Sequence, residues 1–398
     1  MWLQPTRLSP ADAVASRYHF FVMLTFAGSR IRFALYGVTA GLFVVVSAVA
    51  TGQSPAQAPS EKNMFIETPA GWKAPKTAWG DPDLQGTWPI SYVGSVPLER
   101  CAGGGGRAGG PPAPPCDPNK AFLTEEEFKA RVAAVNGRGN RYDDAIKSGN
   151  FGAAFQAGVT DPTTPQRQTS LIVDPPNGRL PEMTEEGKRR SSLMHSSWEA
   201  YPGEVLTFDS ELDFDTWDRC ITRGMPASMF PFRYNNGVQI IQAPGYVILN
   251  MEMIHEARIV PINGPAAPSS TLKQWLGVSR GHWEGTTLVI ETTNFKPGAS
   301  ATNIGVVGSP PGNRFPTSEK IKITERITRM NDTMLLYEIT TEDSIVITRP
   351  WTARFPLKLD NGYKWWEYAC IEGNRTIPDY ISASRAERAA AAKESPKD

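Results

Sequence analysis

VQIIQAPGYVILNMEMIHEARIVPI, residues 238–262, decides how the rest of the chain is read. A β-branched run meets Pro244-Gly245, and a second, longer apolar run follows. Proline presets φ near −65° and glycine admits positive φ, so this dipeptide makes a turn and its flanks become antiparallel neighbours. The same texture continues downstream. KQWLGVSRGHW, TTLVIETTNF, EKIKITERITRM, TMLLYEITTED, IVITRPWTARFPL and YKWWEYACI follow in turn, with Glu284-Gly285, Asn331-Asp332 and Asn361-Gly362 as turn dipeptides among them. Each run is β-branched or aromatic-rich, as a half-buried strand requires. Short links between such runs force antiparallel pairing.

These residues predict a mainly β protein, an antiparallel up-and-down barrel or strongly curved sheet, with a sandwich as the main rival. The β core spans 204–372. Upstream, GDPDLQGTWPI carries a G-x-W at Gly86 and Trp88, the opening found in calycin-type barrels, in which the Trp plugs one end.

The region before the β core reads as an elaboration over 120–200. In FLTEEEFKARVAAVN, Thr124 and Glu127 form a capping box that starts a helix over 124–136. Thr184 caps a second helix carrying KRRSSLMHSSW. SLIVDPPNGRLPEM is a short buried strand followed by a Pro/Gly turn, and 137–168 has no clear period.

At the amino end, Arg30 and Arg32 precede FALYGVTAGLFVVVSAVA, which closes on Ala48-Val49-Ala50. A basic region, an apolar run and a small-x-small site make residues 1–50 a secretory signal; the rival is an uncleaved membrane anchor. The leader before the basic patch is long, and a start at Met23 gives an ordinary signal. The mature chain then begins near Thr51 in the periplasm or outside the cell. Residues 51–80 form a flexible lead-in, 81–380 a single domain and 381–398 a polar tail.

Of the 398 residues, 41 are basic and 41 acidic, which excludes the basic footprint of a nucleic-acid binder. The 35 Gly, 34 Pro and 11 Trp favour a turn-rich, aromatic β protein over a helical bundle. An even count of four cysteines in an oxidising place implies bridges. Cys101 and Cys116 bracket CAGGGGRAGGPPAPPC, and Cys220 then pairs with Cys370. None sits in a C-x-x-C or beside a His, which disfavours metal or nucleophile roles. Gly103 to Gly106 lack the strand, helix and Lys-Ser/Thr of a phosphate loop.

Six motifs act together: SLIVDPPNGR (170–179), DRCITRG (218–224), EMIHEARIVPINGPAAP from 252, GHWEGTTLVIETTNF from 281, ITRPWTA from 347 and EYACIEGN from 367. They resemble a large family of secreted, mostly uncharacterised bacterial proteins of the acidobacterial and sphingomonad type, over residues 80 to 378. The Gly/Pro loop lies outside that pattern. The resemblance implies export and a shared architecture and is silent on chemistry.

Candidate chemistry centres on EMIHEARI. On a continuous strand, His255 shares a face with Met251, Met253, Ala257 and Ile259, while Glu252, Glu256 and Arg258 share the other. That parity aims His255 inward and sets the charged residues outward. A desolvated imidazole stays neutral and accepts a proton; the plain alternative is a hydrogen-bonded packing histidine. The acid–base reading makes His255 the proton acceptor, Asp218 or Glu252 a supporting carboxylate, and Arg258 or Arg223 the anion-stabilising donor. His282, Trp283, Trp351 and Trp366 complete a pocket for a small apolar or aromatic ligand. Two classes of function compete: a cofactor-independent lyase, isomerase or hydrolase step on one side, and a non-catalytic ligand-binding or envelope interaction protein on the other. No metal motif, cofactor motif or G-x-S-x-G elbow is present. Glu325, in KITERIT, reads as part of an exposed strand.

Overall fold

The computed structural model describes residues 66, 68–101, 116–150, 161–194, 207–265, 268–301, 314–372 and 374–394. Residues 1–50, expected to be a signal, residues 102–115 of the Gly/Pro loop and His195 lie outside them.

Pro244-Gly245 turns β3 (Val238–Ala243) into β4 (Tyr246–Met251), with Gly245 at φ 77°, a value that side-chain-bearing residues rarely take. β5 (Ala257–Pro261) and the two-residue β1 (Gly86–Thr87) complete an antiparallel sheet in the order β1-β3-β4-β5. A six-stranded antiparallel sheet follows, in the order β2-β10-β9-β8-β7-β6. Its strands are β2 (Ile172–Asp174), β6 (Val278–Glu284), β7 (Thr287–Thr293), β8 (Lys322–Asn331), β9 (Met334–Glu342) and β10 (Trp351–Lys358). Glu284-Gly285 and Asn331-Asp332 make the expected hairpin turns.

The protein is mainly β, and no closed barrel forms among the described residues. One parallel bridge, Ile262 to Gly281, joins the sheets at β5 and β6. Prolines 261 and 265, which have no N–H, flank it, so no ladder extends there. On the far side, the Asp360 N–H donates to the Thr87 carbonyl at 2.9 Å. Trp88 is fully buried, its Nε1–H donating to the Leu84 carbonyl at 3.0 Å, and Arg329 stands 5.8 Å over its ring.

Both helix caps are where their sequences put them. Helix α1 (Glu125–Asn136) opens on the Thr124–Glu127 capping box, and α2 (Arg138–Lys147) follows it across residues expected to be irregular. Helix α3 (Glu185–Ser192) is capped by Thr184. Two further expectations change. YKWWEYACI forms no strand, so Asn361-Gly362 ends β10 instead of joining two strands. The polar tail is largely helical, as α4 (Thr376–Glu394), because its Ala-rich AERAAAAKE favours helix. Both bridges form as expected, Cys101 to Cys116 and Cys220 to Cys370. They suit an oxidising compartment, and no described helix is long and apolar enough to cross a membrane.

One apolar core runs between the two sheets. Alternate residues of β3, β4, β7, β8, β9 and β10 point into it, among them Ile240, Leu249, Leu288, Ile327, Ile339 and Phe355. The same alternation carries a charged pair inside. Arg258 of β5 grips Glu325 of β8 with two N–H groups, one at 3.0 Å and one shorter, and both residues are sealed from solvent. Arg258 also donates to Ser279 of β6 (3.1 Å) and Thr292 of β7 (3.0 Å), while the Tyr337 hydroxyl of β9 donates to Glu325 at 2.7 Å. Burial alone would push the Arg258 guanidinium down, but Glu325 in contact holds it above its usual value. Burial and then Glu325 push the Tyr337 phenol well up.

Removing one partner leaves a charge stranded in a dry core. Glu325→Ala is expected to cost about 3–5 kcal/mol, whereas Arg258→Met with Glu325→Leu together should be nearly neutral. Chemical denaturation of the three variants checks this; a double variant as unstable as the single one would contradict it.

Candidate functional site

The opening motif folds differently from a continuous strand. β4 stops at Met251, and residues 252–256 form a tight turn before β5 begins at Ala257. Ile254 and His255 both take positive φ, 58° and 53°. Two left-handed residues break the strand parity, so every side chain after them changes face. Arg258 consequently points into the core and His255 outward. The His255 ring is exposed, makes no hydrogen bond among the described residues and meets only the Tyr368 ring edge-on, at 6.5 Å. That corrects the inward placement.

The glutamates are also inverted, from solvated to buried. Glu252 clasps two segments: its carboxylate accepts from the Gly237 N–H (2.9 Å) before β3, and from the Tyr363 hydroxyl (2.7 Å) and the Trp366 N–H (2.5 Å) after β10. The approach is so close that a Cβ on Gly237 would lie 2.8 Å from the Tyr363 ring. Glu252 therefore works as a structural clamp. Glu256 accepts from the Ser228 hydroxyl at 2.8 Å, and burial pushes its carboxyl up, against Thr222, Ser228, Arg223 and Arg258, which pull it down.

Of the other predicted residues, Trp351 is fully buried in the core and Trp366 is 71% exposed, so neither walls a pocket. His282 and Trp283 sit on β6; the His282 ring is 3.4 Å from Glu284 on the outer face. The length of β5, five residues or roughly 17 Å, separates His255 from Gly281, the neighbour of His282. The two histidines do not meet, and no cluster of three metal-ligating side chains occurs among the described residues.

What the fold does assemble is a cleft of about 430 Å³ between residues 214–218, residues 368–370 and the start of α4. Phe214, Trp217, Tyr368 and Tyr380 supply its aromatic walls, with Asp218 and Cys370 beside them. Each wall is held by a nameable contact. Asp215 accepts from the Trp217 and Asp218 N–H groups, both at 2.8 Å, which shapes the loop. The Cys220–Cys370 bridge ties that loop to the Tyr368 segment. The Trp217 indole N–H then donates to the Tyr368 hydroxyl at 3.0 Å. Opposite, Phe214 stacks on Phe208 at 4.7 Å, and Tyr380 of α4 packs edge-on against both. α4 is itself anchored where the Phe208 N–H donates to the Ser384 hydroxyl at 3.0 Å.

Arg223 lies under this floor, buried, 5.8 Å from the Trp217 ring and 5.2 Å from Phe232. Burial lowers its guanidinium to about 10, against the pull of Tyr368, Glu256 and Tyr234. Burial, followed by the neighbouring Tyr234, lifts the Tyr368 phenol to about 12, so it stays neutral. The structure thus gathers Asp218, Arg223 and His255 around Tyr368, while Glu252, Arg258, His282, Trp283, Trp351 and Trp366 serve elsewhere. Sequence reasoning missed Phe214, Trp217 and Tyr380. Their only signal is the aromatic spacing of FDTW, and Tyr380, the last residue of the expected domain, lies on a helix for which no start was read.

The raised Glu256 carboxyl gives a signed pH dependence. A carboxylate whose folded pKa lies above its unfolded value favours the fold when protonated, and that benefit is lost as pH rises from the unfolded value through the raised one. Glu256→Gln, which keeps the shape without the charge, should raise the thermal midpoint at pH 7 and lose that advantage below about pH 4. Melting curves at both pH values check it; an equal gain at both would contradict the assignment.

Compared with known proteins, the chain matches no family model, no curated protein and no solved structure.

Proposed function

We propose that this is an exported protein that binds a small, flat, largely apolar or aromatic compound in the Phe214–Trp217–Tyr368–Tyr380 cleft. One observation carries the reading: four aromatic side chains from three separate segments converge on one open cleft. At about 430 Å³ it falls within the range usual for small-molecule sites. Residues 1–50 act as the export signal, and the two bridges are consistent with the oxidising space that such a signal leads to.

Binding is favoured over turnover by the site's chemistry. General acid–base catalysis needs a proton acceptor within hydrogen-bond reach of its supporting groups. The His255 ring has no carboxylate or guanidinium at that distance among the described residues, and the indole and phenol of the cleft are spent on each other. The lyase, isomerase or hydrolase alternative is therefore secondary. A calycin-like ancestry is the finer architectural proposal. It is supported by the plugged Trp88 under Arg329 and by the contacts that link the sheets at both sides. Membership of the secreted bacterial family that the six motifs resemble is proposed with it.

Titration of the mature chain with naphthalene, indole and substituted phenols, followed by intrinsic tryptophan fluorescence, tests the cleft. Saturable binding is expected. Trp217→Ala and the more exposed Tyr380→Ala should each weaken it about tenfold or more, while the exposed Trp366→Ala leaves it unchanged. Absence of saturation across the panel, or wild-type binding by both cleft variants, would overturn the proposal. Conversion of any compound to product would revive the catalytic alternative.

A further inference from the structure

Charge selects among the compounds that the aromatic cleft admits. Among the described residues that line it, only Asp218 and Glu372 are ionised at neutral pH, and both are acidic. No lysine, arginine or histidine belongs to that lining; Arg219 and Arg375, their neighbours in sequence, do not reach it. The described walls are therefore acidic as well as aromatic.

The rings add to the same preference. An aromatic face is the negative side of a quadrupole, so it attracts a cation as well as another ring. Phe214 and Tyr380 meet as a corner, their centroids 6.2 Å apart and their planes at 79°. The charge of Asp218 is felt at the Tyr368 wall. Burial is the main cause that lifts the Tyr368 phenol, and Tyr234 and Asp218 lift it further, while Trp217 and Arg223 pull it down.

Two positive features oppose this preference, and both are weaker. The amino end of α4 reaches the cleft at Thr376 and Ile377 and carries roughly half a charge. Asp379, in the first turn of that helix, offsets it. Arg223 is sealed beneath the floor, 5.8 Å from the Trp217 ring, and shares that buried space with the field of Glu256.

From this we infer that the ligand is an organic cation: an aryl-alkyl amine or quaternary ammonium whose ring lies against the aromatic walls and whose nitrogen turns toward Asp218 and Glu372. The inference rests on the cleft being the binding site and adds the charge of what fills it. A neutral ring uses the walls alone, and an aromatic carboxylate brings a like charge up to two others. In an open cleft, a cation about 4 Å from one carboxylate gains roughly fivefold in affinity at the dielectric of water. A cation–π contact at an exposed site adds roughly two- to fivefold.

Calorimetric titration of the mature chain at pH 7 with three compounds of one size reads the sign directly. They are 2-naphthylmethylamine, protonated at this pH, 2-naphthalenemethanol and 2-naphthoate. The amine should bind about tenfold more tightly than the alcohol, and the naphthoate most weakly. Raising NaCl from about 10 mM to about 1 M shortens the Debye length from about 30 Å to about 3 Å and should remove much of the amine's advantage while sparing the alcohol. Glu372→Gln and Asp218→Asn should each cut that advantage about threefold or more, with alcohol affinity at the wild-type value. Glu372 is exposed, so it carries the test where Asp218→Asn loses stability. An alcohol or naphthoate that binds as tightly as the amine, or an advantage untouched by Glu372→Gln and by a stable Asp218→Asn, would overturn the inference and leave the cleft as the binding site. No saturation by any of the three would overturn the cleft itself, and the inference with it.

Discussion

The two sheets are locked together by one guanidinium. Arg258 comes from the four-stranded sheet, and its oxygen partners come from the six-stranded one: Ser279 of β6, Thr292 of β7 and Glu325 of β8, with Tyr337 of β9 completing the carboxylate's shell. The ladder at the β5–β6 joint is a single bridge, so hydrogen-bonded strands alone do not set how the sheets meet. A buried ion pair contributes little net stability, since desolvating both charges offsets most of their attraction. Its effect is on geometry. Any sliding of one sheet over the other would strand Arg258 or Glu325 without a partner, which makes one arrangement far better than its neighbours.

A second constraint follows from the turn that delivers Arg258 inward. Residues 252–256 reverse the chain with two left-handed residues, and Glu252 at the start of that turn clasps Gly237, Tyr363 and Trp366. The clasp seats the segment after β10 against β3. The Cys220–Cys370 bridge then fastens the end of that segment to the loop bearing Trp217. The aromatic cleft is thus built from parts of the chain about 150 residues apart, positioned by one carboxylate and one disulfide. This division of labour explains why Glu252 and Arg258 of EMIHEARI are structural although they look catalytic in isolation. Both Glu252 oxygens and both terminal Arg258 nitrogens are engaged by the fold, and the His255 ring faces water.

Local signals were legible wherever the physics is local. A capping box needs only Thr124 and Glu127, a hairpin turn only Pro244-Gly245 or Glu284-Gly285, and both are where the residues put them. Strand parity was legible too, and it could have been pressed further: Glu325 lies midway between Ile323 and Ile327 in KITERIT, on the apolar side of its strand. Parity failed at Ile254 and His255 because neither residue type announces a positive φ, and one undetected turn inverts every later assignment in the strand. The segment YKWWEYACI failed for the opposite reason. Its composition suits a strand, but the side chain of Glu252 takes the Trp366 N–H that a ladder would use.

By itself the sequence determined a β-rich chain with four-cysteine bridging, capped helices and the main hairpin turns, because each depends on residues adjacent in the chain or on composition. Only the tertiary structure decided which charges are buried, that the described strands form two ladders without closing a barrel, and that Trp217, Tyr368 and Tyr380 share a cleft. Those outcomes depend on distant side chains competing for the same hydrogen bonds and the same dry space, and no local pattern records who wins.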